Sequence, residues 1–359
     1  MKNISIIIPV YNASKWLDFC LTPLIAQKGI EDNELILIDD CSSDNSADII
    51  KSYAEKYPFI TPAYNEFNKG CAETRNHGLR IADESEFTIF CDSDDQMAIP
   101  KDFAKKIAGG GILNIAKTEY PIDTLYLKKM ESVARDLRAD ISFGEMTSIC
   151  YDQNVSTEGN HIFFEKSGLC DTQMDAQILG AQRDSANAAL YRTDFIFSKN
   201  LYFEPELRND EDRIFNRRAI LYARKIAYVS DAVYLYNIRP DSICGYARNQ
   251  QPLDDLDSDV LKREMIMHWY ILNEEWPKEI AQMFANSDLA AWNLLCPLKD
   301  EYIKRGYVEN FGDYKYCTNE ICRTCRYLQN NANKSLVNEI LTDICPSFLQ
   351  RRKKFPHYR

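Results

Sequence analysis

The sequence is poor in the features that mark several broad classes of protein. No apolar run approaches the roughly 20 residues needed to cross a bilayer, so no membrane-spanning helix is expected. There is no surplus of positive charge: 43 Lys and Arg stand against 54 Asp and Glu, a net charge of -11. A nucleic-acid groove calls for a basic surface, and this balance speaks against one. Only four histidines occur, His77, His161, His268 and His357, and they form no ligand spacing. Cys317, Cys322, Cys325 and Cys345 lack a second Cys-x-x-Cys, so a zinc site is not expected either. The twelve cysteines are scattered, with Cys20, Cys41, Cys71, Cys91, Cys150, Cys170 and Cys244 mostly inside apolar runs. A free thiol in such a run packs as a small hydrophobe. Residues 1–9 read as a short strand rather than a charged-then-apolar leader. The expectation is a soluble protein of a reducing cytoplasm.

What is present is ordinary globular material, 45% hydrophobic and 27% charged over 359 residues, enough for a substantial core. Residues 5–9, 34–39, 59–64 and 87–91 are short apolar runs of the kind that form buried strands. Between them, residues 14–27, 46–57 and 73–82 show helical spacing. This alternation predicts an α/β fold, a mostly parallel central sheet flanked by helices. Ligands on such sheets bind beyond the carboxyl ends of the strands. Gly109-Gly110-Gly111 breaks the pattern, and residues 107–122 read as a flexible insertion. Further helices are expected at residues 124–137, 172–179 and 210–222, with strands at 141–143, 226–229 and 233–236. Beyond residue 248 the chain reads as a mainly α-helical region, 249–359, in which Trp269, Trp276 and Trp292 fill a core.

Polar residues of interest fall at the strand ends. Pro9-Val10-Tyr11-Asn12 follows the first strand, and an aromatic ring there can stack on a base. Ile38-Asp39-Asp40-Cys41-Ser42-Ser43-Asp44-Asn45-Ser46 closes the second. Asp44 or Ser46 can cap the next helix. Capping does not explain Asp39 and Asp40; a ligand that donates hydrogen bonds, such as a uracil imide, would give one of them a reason. Asn68-Lys69-Gly70 leads into a helix whose first turns carry Arg75, a start suited to a diphosphate or a base edge. Phe90-Cys91-Asp92-Ser93-Asp94-Asp95 clusters three carboxylates, the donor type that Mg²⁺ or Mn²⁺ prefers. A metal-held diphosphate is also compatible with the acidic charge of the chain.

The order of these four features resembles glycosyltransferase family 2 with the GT-A fold, over residues 1–100 and in patches to about 245. The resemblance implies a catalytic domain over residues 1–248, with a nucleotide-binding half at 1–100 and an acceptor half at 123–248. It implies that Pro9, Tyr11, Asn12 and Asp40 hold the nucleotide, with Arg75 beside the base or the phosphates. Asp92, Ser93 and Asp94 meet the donor, and the cation sits on Asp94 or Asp95 with Asp92 nearby. Glu211-Asp212 resembles the acid pair that supplies the catalytic base; Asp212 is the first choice and Glu211 the second. A carboxylate at a helix start is held in place and kept ionised by the dipole. Arg239 and Ser242 resemble residues that close over the diphosphate. Residues 187–192 fall where the family shapes the acceptor pocket, without its usual aromatic.

The implied reaction is inverting transfer of a sugar from a nucleoside diphosphate sugar, UDP-linked by resemblance, to a hydroxyl of a glycan or lipid-linked acceptor in surface polysaccharide synthesis. The basic tail Arg351-Arg352-Lys353-Lys354 can touch anionic lipid at the inner face of the cell membrane. Oligomeric state is left open. A nucleotidyltransferase is the competing enzyme class, but it calls for a glycine-rich loop where Val10-Tyr11-Asn12-Ala13 stands. A non-catalytic sugar-nucleotide-binding module is the other alternative, and the intact acids speak against it.

Overall fold

A computed structural model describes residues 2–108, 121–150, 162–170, 185–205, 207 and 211–238. The chain divides into two compact units, Met1–Tyr246 with Arg359, and Ala247–Tyr358. All described residues lie in the first. The expected helix at 172–179 and the region after 248 lie outside them.

Among the described residues, nine strands form one sheet. They are β1 (Ile4–Val10), β2 (Glu34–Asp39), β3 (Ile60–Tyr64), β4 (Phe87–Phe90), β5 (Gln96–Ile99), β6 (Ile141–Cys150), β7 (Gly168–Leu169), β8 (Ala189–Arg192) and β9 (Ile226–Ile238). The order is β3-β2-β1-β4-β8-β6-β9-β5, with β7 also pairing β9. The helices are α1 (Leu17–Ile25), α2 (Ser46–Lys56), α3 (Cys71–Ile81), α4 (Lys101–Ala108), α5 (Tyr126–Leu137), α6 (Thr193–Ser198) and α7 (Glu211–Tyr222).

The four strands from β3 to β4 are parallel, as the alternation predicts. Beyond β4 the sheet is mixed: β8 runs antiparallel to β4 and β6, while β6 is parallel to β9. Every residue of β1 is buried, because its alternating side chains serve two cores. Ile4, Ile6, Ile8 and Val10 pack on one face with Leu17 and Leu21 of α1 and Met130 of α5. Ile7 packs on the other with Leu79 of α3 and Phe215 of α7. Helix α3 comes so close that a Cβ on Gly78 would lie 2.4 Å from Ile7 Cγ2.

The second half departs most from the sequence reading. The expected strands at 226–229 and 233–236 are one strand, β9, carried through Asp231 at φ 63. The irregularity is held by Glu145 of β6, whose carboxylate accepts from Asp231 N at 3.1 Å and pairs with Lys101 at 2.8 Å. Strand β6 runs on to residue 150 instead of ending at 143. Strands β5 and β8 and helix α4 are additional elements, four to eight residues long. The expected insertion at 107–122 begins inside α4, and 109–120 lie outside the described residues.

Candidate active site

The carboxyl ends of β1, β2 and β4, the start of α3 and the start of α7 carry the polar residues singled out above. The first two strand ends are stitched together. Asn12, at φ 49, accepts from Ser43 N at 2.8 Å, and its own N–H donates to Ser42 Oγ at 3.0 Å. Asp44 takes Ser46 N, the first N–H of α2, and Ser14 N, each at 3.0 Å. Partial burial lifts the Asp44 carboxyl, but the hydrogen bonds from Ser46 and Ser14 outweigh it and pull the pKa down to about 2. Pro9 is buried within β1 and pairs with Ile38, while Asn12 is exposed and ties the two strand ends together. Tyr11 does project: it is 53% exposed.

The adjacent acids of β2 separate sharply. Asp40 is buried, and its carboxylate accepts from Asn65 Nδ2, Lys69 N and Gly70 N at 2.8 to 2.9 Å. It therefore clamps the glycine loop onto the sheet. Asp39 is equally buried; one oxygen accepts from Ser42 N at 3.1 Å, and Oδ1 has no hydrogen-bond partner. The unfilled acceptor at this strand end thus belongs to Asp39.

Arg75 stands among the acids of this site. It is buried in α3, donating to Asp92 Oδ1 at 2.7 Å and to Glu211 Oε1 at 2.6 Å, with its guanidinium 5.2 Å from the Phe203 ring. Burial opposes its charge, but Cys71, Asp92, Glu211 and Asp212 around it win and raise its pKa well above normal. Both terminal nitrogens are taken by protein acids, so Arg75 is a cross-link between the end of β4 and the start of α7. Burial pushes the Glu211 carboxyl up and the Arg75 charge opposes it. Asp212, next in α7, is less buried and accepts from Arg213 N at 2.8 Å.

The acidic turn after β4 is closed by Asp95 N donating to Asp92 O at 3.1 Å. Asp92 accepts from Arg75 on one oxygen and from Asn187 Nδ2 on the other, at 2.9 Å. Asp95 is 0% exposed, with Tyr234 OH donating to Oδ2 at 2.6 Å and Asn237 N to Oδ1 at 2.8 Å. Burial first, then Asp94 and Asp92, lift the Asp95 carboxyl well above its usual range. Each oxygen of Asp95 thus accepts one hydrogen bond from the protein. Ser93 and Asp94 are half-buried, and the Asp94 carbonyl accepts from Asn237 Nδ2 at 3.2 Å. Among the described residues no three His, Cys, Asp or Glu side chains form a metal-binding group. A cation shared with a diphosphate needs only one or two carboxylates, and Asp94 with Asp92 beside it meets that donor requirement. Arg239 and Ser242 lie outside the described residues.

Sequence reasoning missed the amides. Asn65, Asn187 and Asn237 hold Asp40, Asp92 and Asp94 respectively. A lone amide in an Ala-rich stretch, as at Ser185-Ala186-Asn187-Ala188-Ala189, is the only local hint.

A parallel half-sheet with acids at its strand ends, joined through a buried arginine to an acid pair on a facing helix, defines a GT-A-like α/β protein. Residues 5–108 match the family described as glycosyl transferase family 2. The match spans β1 to α4. A poly(ribitol-phosphate) beta-glucosyltransferase of Bacillus spizizenii is 28% identical over 244 residues, which cover 67% of this chain and 33% of that protein. Glycosyltransferase GlyG of Streptococcus pneumoniae is 27% identical over 249 residues, 67% of this chain and 72% of GlyG. This chain therefore spans about a third of the first relative and most of the second. Among solved structures, S. aureus TarS 1–349 in complex with UDP-GlcNAc aligns with a TM-score of 0.61 at 22% identity, covering 87% of this chain and 80% of that one. That likeness is one of fold.

Proposed function

We propose that the protein is an inverting, metal-dependent glycosyltransferase. It moves a sugar from a UDP-sugar to a hydroxyl of a glycan or polyol-phosphate acceptor in surface polysaccharide synthesis. The observation that carries the reading is the Asp92–Arg75–Glu211 bridge, 2.7 and 2.6 Å long, which links the donor-side acid to the helix that bears Asp212. Relatives named for transfer onto poly(ribitol-phosphate), and a structural neighbour holding UDP-GlcNAc, support the donor and acceptor classes.

In this reading Tyr11 stacks on the base, and Asp39 Oδ1 rather than Asp40 accepts the imide N–H. Asp92 orients the donor. Asp94 would hold Mn²⁺ or Mg²⁺; when bound, such a cation neutralises diphosphate charge and stabilises it as leaving group. Asp212 takes the proton of the acceptor hydroxyl as its oxygen attacks the anomeric carbon opposite the nucleotide. The carbon–oxygen bond to the diphosphate breaks, UDP departs and the configuration inverts. Glu211, committed to Arg75, positions Asp212 rather than sharing its task.

The test is release of nucleoside diphosphate from a panel of nucleotide sugars with Mn²⁺ and acceptor present. Asp212→Asn should retain UDP-sugar binding and lose about 10²–10⁴-fold in turnover, the usual contribution of a general base. Full turnover in that variant would remove the base assignment, and no release from any donor would overturn the transferase reading.

A further inference from the structure

Asp92 is gripped from two sides, by Arg75 on Oδ1 and by Asn187 Nδ2 on Oδ2. The second contact fixes how the Asn187 amide is turned. An ionised carboxylate only accepts, so the NH₂ group faces it and the amide oxygen lies elsewhere. That oxygen has no hydrogen-bond partner, although Asn187 is only 3% exposed. Buried polar atoms are almost always satisfied, so an orphan acceptor in an active centre points to a missing donor. Because oxygen and nitrogen share one carbon, the empty acceptor lies beside the contact with Asp92.

The segment carrying Asn187 is held firmly. Asn187 N donates to Ser185 Oγ at 3.1 Å, and Asn216 of α7 donates through Nδ2 to Ser185 O at 3.2 Å. Gly144 N donates to Ala188 O at 2.8 Å. A Cβ on Gly144 would stand 3.3 Å from that oxygen and 2.9 Å from Ala232 O, so only glycine permits the approach. The amide is therefore set in advance by β6 and α7.

Its place in the sheet indicates what should fill it. Asn187 bridges to Phe90 at the end of β4 and leads into β8, in the order β2-β1-β4-β8. Strands lie about 4.8 Å apart, so β2 and β8 are separated by about 14 Å. A nucleotide sugar with its base at Asp39 on β2 and its diphosphate at the turn after β4 extends its sugar toward β8. Phosphate oxygens are acceptors and cannot satisfy Asn187 Oδ1. A sugar hydroxyl or an acetamido N–H can.

We infer that Asn187 is a specificity-determining residue for the transferred sugar: Nδ2 orients Asp92, and Oδ1 accepts from a hydroxyl or amide N–H of the donor hexose. This rests on the transferase reading. The test is calorimetric titration of UDP, UDP-glucose and UDP-GlcNAc, with Mn²⁺, into the full chain and its Asn187→Ala and Asn187→Leu variants. Asn187→Leu keeps the volume should the smaller side chain destabilise the loop. UDP affinity should stay within about twofold, while affinity for the UDP-sugar that wild type prefers falls about tenfold, as expected for one lost hydrogen bond to a buried acceptor. Equal weakening of UDP and UDP-sugar would make Asn187 a support for Asp92 alone and overturn the inference. No change in either would mean that the donor sugar does not use the oxygen, with the same result. A wild-type protein that binds UDP but no UDP-sugar would overturn the transferase reading, and this inference with it.

Discussion

Single carboxylates in this site do different work although they are neighbours in sequence. Asp94 and Asp95 differ in burial: Asp94 is half-buried, whereas Asp95 is fully buried against Tyr234 and Asn237. Asp94→Ala should therefore cost at least tenfold in Mn²⁺-dependent UDP binding, whereas the isosteric Asp95→Asn should bind within about threefold of wild type. Titration calorimetry with and without the cation separates the two. Asp44 makes a prediction of another kind. Its carboxyl titrates near 2 in the fold against about 3.9 in an unfolded chain, so its stabilising contribution is complete above about pH 4 and disappears as pH falls toward 2. Urea midpoints of wild type and Asp44→Ala should differ at pH 7 and converge as the pH falls through that window. The pairs Asp39-Asp40 and Asp94-Asp95 were visible in the sequence as sites. Which donors reach Asp40 and Asp95 was not, because those donors come from residues 65–70 and 234–237.

At the level of elements, function depends on how closely α3 meets the sheet, since α3 carries Arg75 between β4 and α7. Gly78 sets that distance, and a methyl there would run into Ile7 and Ile38. Gly78→Ala should destabilise the fold by about 2 kcal/mol through overpacking, read by chemical denaturation. Turnover should fall as well, because Arg75 would shift against Asp92. Helices and strands of the first ninety residues were legible to within about three residues at each end; β2 was read at its observed bounds, Glu34–Asp39. They alternate regularly as continuous apolar runs and amphipathic helices, and the strands pair with near neighbours. Strands β5 and β8 are four residues each, too short for any period to show. The continuity of β9 through Asp231 rests on Glu145, far away in the chain.

For the whole molecule, binding is linked to stability. UDP and Mn²⁺ at about a hundred times their dissociation constants should add about 2.7 kcal/mol, a melting-point rise of about 5–10 °C for a unit of this size. Asp212→Asn should keep that rise and Asp94→Ala should lose its metal-dependent part, as differential scanning would record. The chain alone was enough to point to an α/β fold, a resemblance to family 2 and the strand ends where chemistry gathers, because buried-strand runs and strand-end acids are local patterns. It also placed Asp212 correctly in the first turn of α7. Folding assigned the partners. Arg75 bridges Asp92 and Glu211, Asp40 clamps the glycine loop, and Asn187 is the second hand on Asp92. The physical reason is range: a hydrogen bond acts over about 3 Å in space, and Glu211 reaches Arg75 across 136 positions of the chain.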